Sequence, residues 1–157
     1  MPEKLYALYG EQPFYEFEIP EYALVEIDSS RGSEPGWINL VIPHLNGTIH
    51  MSYKPVMGNL EDYITDSRTL VYKHTVKAEG IEESPFIYRD KRQFGMVYDL
   101  KGNVASAVQF FVTDSTDHFL RGSLYFNSRS NRDSLNPVID FIREDIIHMI
   151  ETTKWKY

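Results

Sequence analysis

The chain has no cysteine, and that absence removes disulfides, thiolate metal sites and a cysteine nucleophile together. It has no apolar run of the roughly 18 residues that a membrane-spanning helix needs. An excess of basic residues is also missing: the formal net charge is -7, which argues against non-specific nucleic-acid binding and against a polybasic membrane anchor. There is no GxSxG elbow, no glycine-rich phosphate loop and no dinucleotide fingerprint. The 5 histidines form no HxxxH or HxH pair, so no metal site and no cofactor are expected. The first residues, MPEKLYALYGEQPFYEFEIP, lack the basic, apolar and small-residue order of an export signal.

What is present is an ordinary globular composition over 157 residues, with 42% hydrophobic and 25% charged residues. One domain spanning 1–157 is expected, with 1–14 as a loosely ordered lead-in. Aromatics reach 14%, led by 11 Tyr and 9 Phe, which favours strands because flat rings pack well on a pleated surface.

Patterning places the elements. Tyr15 to Ile19 alternates apolar with acidic residues as a half-buried strand does, and Pro20 ends it. Ala23 to Asp28 is a second short strand, followed by the loop SSRGSEPG. Trp37 to Ile42 and Thr48 to Tyr53 flank Asn46-Gly47, a strong hairpin signal. In the second of these strands Thr48, His50 and Ser52 share a polar face, so His50 reads as a solvent-side residue. Asn59 is the expected cap of a helix running to Ala78, with Gly80 as its stop and with Leu60, Tyr63, Ile64, Ser67, Val71, His74, Thr75 and Ala78 on one stripe. Strands resume at Phe86. Among them VQFFV (108–112) is apolar on both faces, as in a central strand under cover. Ser134 or Asn136 caps a closing helix, Asn136–Thr152, with Pro137 in its first turn. The expected fold is α+β: a twisted antiparallel sheet flanked by two amphipathic helices.

Two segments concentrate chemistry. SRTLVYKHTVKA (67–78) carries Arg68, Lys73, His74 and Lys77 with no carboxylate, a cationic strip in an acidic protein. It reads either as a solvated face or as a contact for an anion or an acidic partner. His74 lies on the apolar stripe, as a core histidine or as a ligand contact. TDSTDHFLRG (113–122) packs carboxylate, hydroxyl, imidazole and guanidinium into one turn. The simpler reading is a polar turn, since Asp114, Ser115 and Thr116 can each bond nearby backbone donors. The alternative is a hydrolase with Ser115 as nucleophile and His118 as its base. If the two segments meet, Arg68, Tyr72, Lys73, His74, Lys77, Asp114, Ser115, His118 and Arg121 would surround one positive pocket for a carboxylate or phosphate from a partner chain or the cell wall.

These strings resemble the gliding-motility lipoprotein GldD family of Bacteroidetes. The resemblance runs from about Tyr15 to Trp155, through WINLVIPHLNGTIHMSYKP, DSRTLVYKHTVKA, GNVASAVQFFVTDSTDHFLRG and the stretch ending NRDSLNPVIDFIREDIIHMI. It implies an exported lipoprotein held by a lipidated cysteine and facing the periplasm. It implies a non-enzymatic part in gliding and in the linked type IX secretion machinery, with other gliding lipoproteins or secretion components as partners and no nucleic acid. The family has no established catalytic residue or cofactor to carry over. The expectation is that this chain is the part following that cysteine, with Met1 added as a start residue. The alternative function is a small-ligand or cell-wall binding module. The order of elements also resembles the Mog1/PsbP-like architecture: early strands and a hairpin, a helix, a long antiparallel meander and a closing helix.

Overall fold

A computed structural model describes residues 4–73, 78–127 and 132–157. Among them the elements run β1 (Tyr6–Tyr9), β2 (Tyr15–Pro20), β3 (Leu24–Ile27), β4 (Ile38–Ile42), β5 (Gly47–Pro55), α1 (Leu60–Tyr72), β6 (Ala78–Tyr88), β7 (Gln93–Gly102), β8 (Val108–Thr113), β9 (His118–Phe126), α2 (Arg132–Thr152) and β10 (Lys154–Trp155). This is the expected α+β order, hairpin before helix and meander before closing helix.

The described strands form a 7-stranded sheet in the order β3-β4-β5-β9-β8-β7-β6 and a 3-stranded one, β1-β2-β10. Every pairing is antiparallel. Successive side chains along a strand point to opposite faces, so register decides which residues meet which helix. One face of the large sheet carries Leu40, Ile49, Met51, Val108, Phe110, Leu120 and Leu124. It shares a core with Ile139, Ile142, Ile146 and Met149 of α2 and with Tyr15 and Phe17 of β2. The opposite face carries Tyr98, Leu100, Phe111 and Phe119, which pack with Val71 of α1. Strand β8 is buried along its whole length, as its double-faced apolar pattern predicts.

Three local expectations are corrected, and the Asn59 cap holds in position without its side-chain bond. The segment 1–14 holds β1, paired with β2 from Tyr6↔Pro20 to Tyr9↔Phe17. The first helix stops at Tyr72, and Ala78 and Gly80 belong to β6, where Ala78 pairs with Gly102 and Gly80 with Lys101. Helical spacing persists through this stretch, but non-local ladder bonds to β7 outweigh it. Asn59 occupies the cap position of α1, yet its Oδ1 accepts the Met57 amide at 2.8 Å and makes no cap bond to the helix. The closing helix begins at Arg132, a turn before Asn136, so Pro137 lies inside it. In the β4–β5 connection Asn46 takes the left-handed conformation (φ 54) after a 3-10 turn at Pro43–Leu45, while Gly47 already pairs with Ile42.

Candidate functional site

The 113–122 segment is the β8–β9 hairpin, and its polar side chains are built into it. Asp114 Oδ1 accepts the backbone amides of Thr116 (3.1 Å), Asp117 (2.9 Å) and His118 (2.8 Å). Its Oδ2 accepts the Tyr157 hydroxyl at 2.6 Å. Thr113 Oγ1 accepts the Ser115 amide at 2.9 Å, and Ser115 sits in the left-handed region at φ 70. Burial works against the Asp114 carboxylate, but the Tyr157 hydroxyl and the three amides hold its pKa below the ordinary value.

His118 is 5% exposed and faces the α2 side. Its Nδ1 lies 2.6 Å from the Tyr53 hydroxyl, and its ring stacks on Trp155 with centroids 5.1 Å apart. Burial, aided by Asp114 and Asp117, pushes the Tyr53 phenol up to about 12, so it stays protonated beside Nδ1. Nε2 is buried and has no hydrogen bond of ordinary geometry among the described residues. His118 is thus turned towards Tyr53 and walled in by aromatics, and Ser115 is held by its own turn.

Burial is the largest influence on the imidazole and depresses its pKa below 6.5, with Asp114 and Asp117 acting the other way. The unfolded chain therefore binds a proton here at higher pH than the folded one. Stability is expected to fall as pH drops below 6.5 through the depressed folded pKa, with Asp114 adding a second loss below 3.8. Melting temperature measured against pH checks this: His118→Gln should flatten the upper limb and leave the lower one. An unchanged upper limb would assign that loss to another group.

The cationic strip is placed differently. Arg68 pairs with Glu83 of β6 and lies over the Tyr72 ring at 4.8 Å. Lys73 is the exposed residue that closes α1. His74 and Lys77 lie outside the described residues. The hairpin residues Ser115 and Thr116 stand beside Asn59 to Asp62, at the acidic end of α1. With a rise of about 1.5 Å per residue, Arg68 and Lys73 lie roughly 9 to 16 Å further along the axis. Arg121 is three residues from His118 on the same strand, so the two point to opposite faces. The single pocket expected from both segments is therefore corrected among the described residues: Arg68, Tyr72 and Lys73 lie near one end of α1, Asp114, Ser115 and His118 near the other, and Arg121 elsewhere.

Arg121 faces a groove between α1 and the sheet, with a cavity volume of about 440 Å³. Tyr63, Asp66, Ser67 and Leu70 come from α1, and His50, Ser52 and Lys54 from β5. Phe119, Arg121 and Ser123 come from β9, with Trp37 and Asp28 at the rim. Pairing of Ser52 with Arg121 and of His50 with Ser123 puts the polar alternation of β5 against the odd-numbered residues of β9. Sequence reading identified that polar face at Thr48, His50 and Ser52 and took His50 as solvent-side; His50 is exposed, while Ser52 is half-buried in the groove. The missed residues are Trp37, Gln109 and Ser123, and for Ser123 the same alternation applied to 119–123 was the available signal.

The fold and this groove define an α+β protein whose hairpin corner is a structural knot and whose concave side lies beneath its first helix. The family model for the gliding motility lipoprotein GldD matches residues 1–155, nearly the whole chain, and the chain belongs to that family. Membership implies a gliding-motility role and a membrane-anchored place in the cell envelope. Comparison with curated proteins found no match. Among solved structures the chain is similar to cyanobacterial PsbP (CyanoP) from Synechocystis sp. PCC 6803, at 11% identity over 92% of each chain and a TM-score of 0.49.

Proposed function

We propose that this chain is a non-enzymatic, membrane-tethered, periplasm-facing component of the gliding machinery and its linked type IX secretion system, acting through protein contacts. The observation that carries the reading is the family match across residues 1–155. The hairpin supports it: Asp114 is committed to three backbone amides of its own turn, and the His118 ring is engaged by Tyr53 on the α2 side. The sheet edge supports the contact role. Strand β3 is an edge strand with Leu24 59% and Ile27 81% exposed, and edge strands present unpaired backbone donors and acceptors to other chains.

The test uses the full-length lipidated protein in its native envelope. A photoreactive residue at Ile27 is expected to capture components of the gliding or secretion apparatus, and the same residue at Tyr157 is not. Ser115→Ala is expected to restore gliding to a deletion strain. Loss of gliding with normal accumulation of the Ser115→Ala protein would overturn the non-enzymatic reading. Absence of any Ile27 adduct would overturn the assignment of the β3 edge as the contact.

A further inference from the structure

Arg121 is a half-buried cation with no carboxylate within ion-pair distance among the described residues. Its hydrogen bond within the protein runs from Nη2 to Gln109 Oε1 at 2.7 Å, a neutral acceptor. A guanidinium carries five donors in a rigid fork suited to a carboxylate. No carboxylate pairs with it among the described residues. Burial depresses its pKa, and the groups opposing that are the phenols of Tyr125 and Tyr98. Gln109, 1% exposed, turns its oxygen to Arg121 and leaves its own Nε2 buried without an acceptor.

A second, independent observation lies on the same walls. Ser67 and Ser123 are 2% and 5% exposed and both line the groove. Their hydroxyls stand on the same face of the sheet and helix as the Arg121 guanidinium, within the lining of one groove. Guanidinium and hydroxyls thus face one cavity whose volume, about 440 Å³, falls within the range of small-molecule sites. Trp37, Tyr63, Leu70 and Phe119 give the wall an apolar and aromatic part, beside the polar side chains from β5.

We propose that this groove binds a small amphiphilic carboxylate, its head on Arg121 with Ser67 and Ser123, and its apolar body along Leu70 and Trp37. A monoanion fits better than a phosphate dianion. Lys54, the other Lys or Arg on the lining, is engaged by Glu34 at 2.5 Å, and Asp28 and Asp66 also face the cavity and would repel additional negative charge. The inference is independent of the contact role assigned to the β3 edge, because the two surfaces are tested by different substitutions.

Calorimetric titration with octanoate and with 1-octanol separates head from body. Wild-type protein is expected to bind octanoate at least roughly tenfold more tightly than the alcohol, a difference of about 1.4 kcal/mol. Arg121→Gln should abolish that preference. Ser52→Phe, which fills the groove from β5 and leaves the guanidinium in place, should weaken both ligands by roughly tenfold or more. Octyl phosphate binding more tightly than octanoate would overturn the carboxylate assignment. Equal affinity for acid and alcohol, no octanoate binding up to about 10 mM, or an unchanged preference in folded Arg121→Gln would overturn the site. Should circular dichroism show Arg121→Gln to be unfolded, the Ser52→Phe result decides: unchanged octanoate affinity refutes the groove and loss supports it.

Discussion

Asp145→Ala is expected to lower the unfolding free energy by about 3 kcal/mol, because it leaves two hydroxyls without their acceptor and takes from Lys4 its nearest carboxylate, with the Phe141 carbonyl and Glu144 remaining. Asp145 lies on α2 with its side chain fully buried. Its Oδ1 accepts Lys4 Nζ at 2.9 Å and the Tyr6 hydroxyl at 2.7 Å, and its Oδ2 accepts the Tyr22 hydroxyl. Lys4 also donates to the Phe141 carbonyl at 2.7 Å and sits 3.7 Å from the centre of the Phe141 ring. This one carboxylate therefore ties β1 and the β2–β3 turn to a helix near the far end of the chain. Burial, then the Asp145 hydrogen bond and charge, raises the pKa of both phenols, so they remain donors across the physiological range. Asp145→Asn keeps one acceptor oxygen and loses the charge, so a smaller loss of about 1–2 kcal/mol is expected. Urea unfolding of both variants measures the difference. A loss under about 1 kcal/mol for the alanine variant would mean that water replaces the carboxylate and that the knot contributes little.

The same knot shows why part of the fold was legible in the sequence and part was not. Tyr15 to Ile19 and Thr48 to Tyr53 announce themselves by local alternation, and VQFFV by its doubly apolar face. The four residues Tyr6–Tyr9 are too short to carry such a signal. They are a strand because β2 pairs with them and Asp145 anchors Tyr6. At the end of α1 the local signal points the wrong way: helical spacing continues to Ala78, but the ladder from Ala78 to Tyr88 against β7 is a non-local gain that no window of residues can display. The site divides similarly. That His118 and Arg121 cannot share a face follows from strand period alone. That α1 lies across β9 and encloses Arg121 is a matter of tertiary placement, and nothing in SRTLVYKHTVKA specifies it. The cationic strip drew attention by composition, yet the cation without a paired carboxylate lies within the strand string VQFFVTDSTDHFLRG, where one Arg among hydrophobic residues stands out less.

Gly122→Ala is expected to destabilise the protein by about 2–3 kcal/mol, although it adds one methyl group to a residue with ordinary strand geometry. A Cβ at this position would stand 2.3 Å from Phe110 Cε1 and 2.5 Å from its Cζ. Phe110 is directly opposite Gly122 across the β8–β9 ladder and is 2% exposed, so its ring is held over the glycine and has little room to withdraw. A related pair lies one hairpin away: Phe86 is opposite Gly95, where an added Cβ would meet the Phe111 carbonyl oxygen at 2.1 Å and the Phe86 ring at 2.5 Å. A ring laid over a cross-strand glycine covers backbone that has no side chain of its own, and it fixes register, since a slip by one residue would place the ring on a Cβ. This gives the last glycine of HFLRG a structural role separate from any ligand. The double variant Gly122→Ala/Phe110→Leu tests the cause. If the clash is responsible, the smaller side chain should recover part of the loss, with a favourable coupling of about 1 kcal/mol between the two changes in denaturant unfolding. Additive losses would show instead that Gly122 is required by its backbone, and the ring above it would then be a consequence of the register and not its determinant.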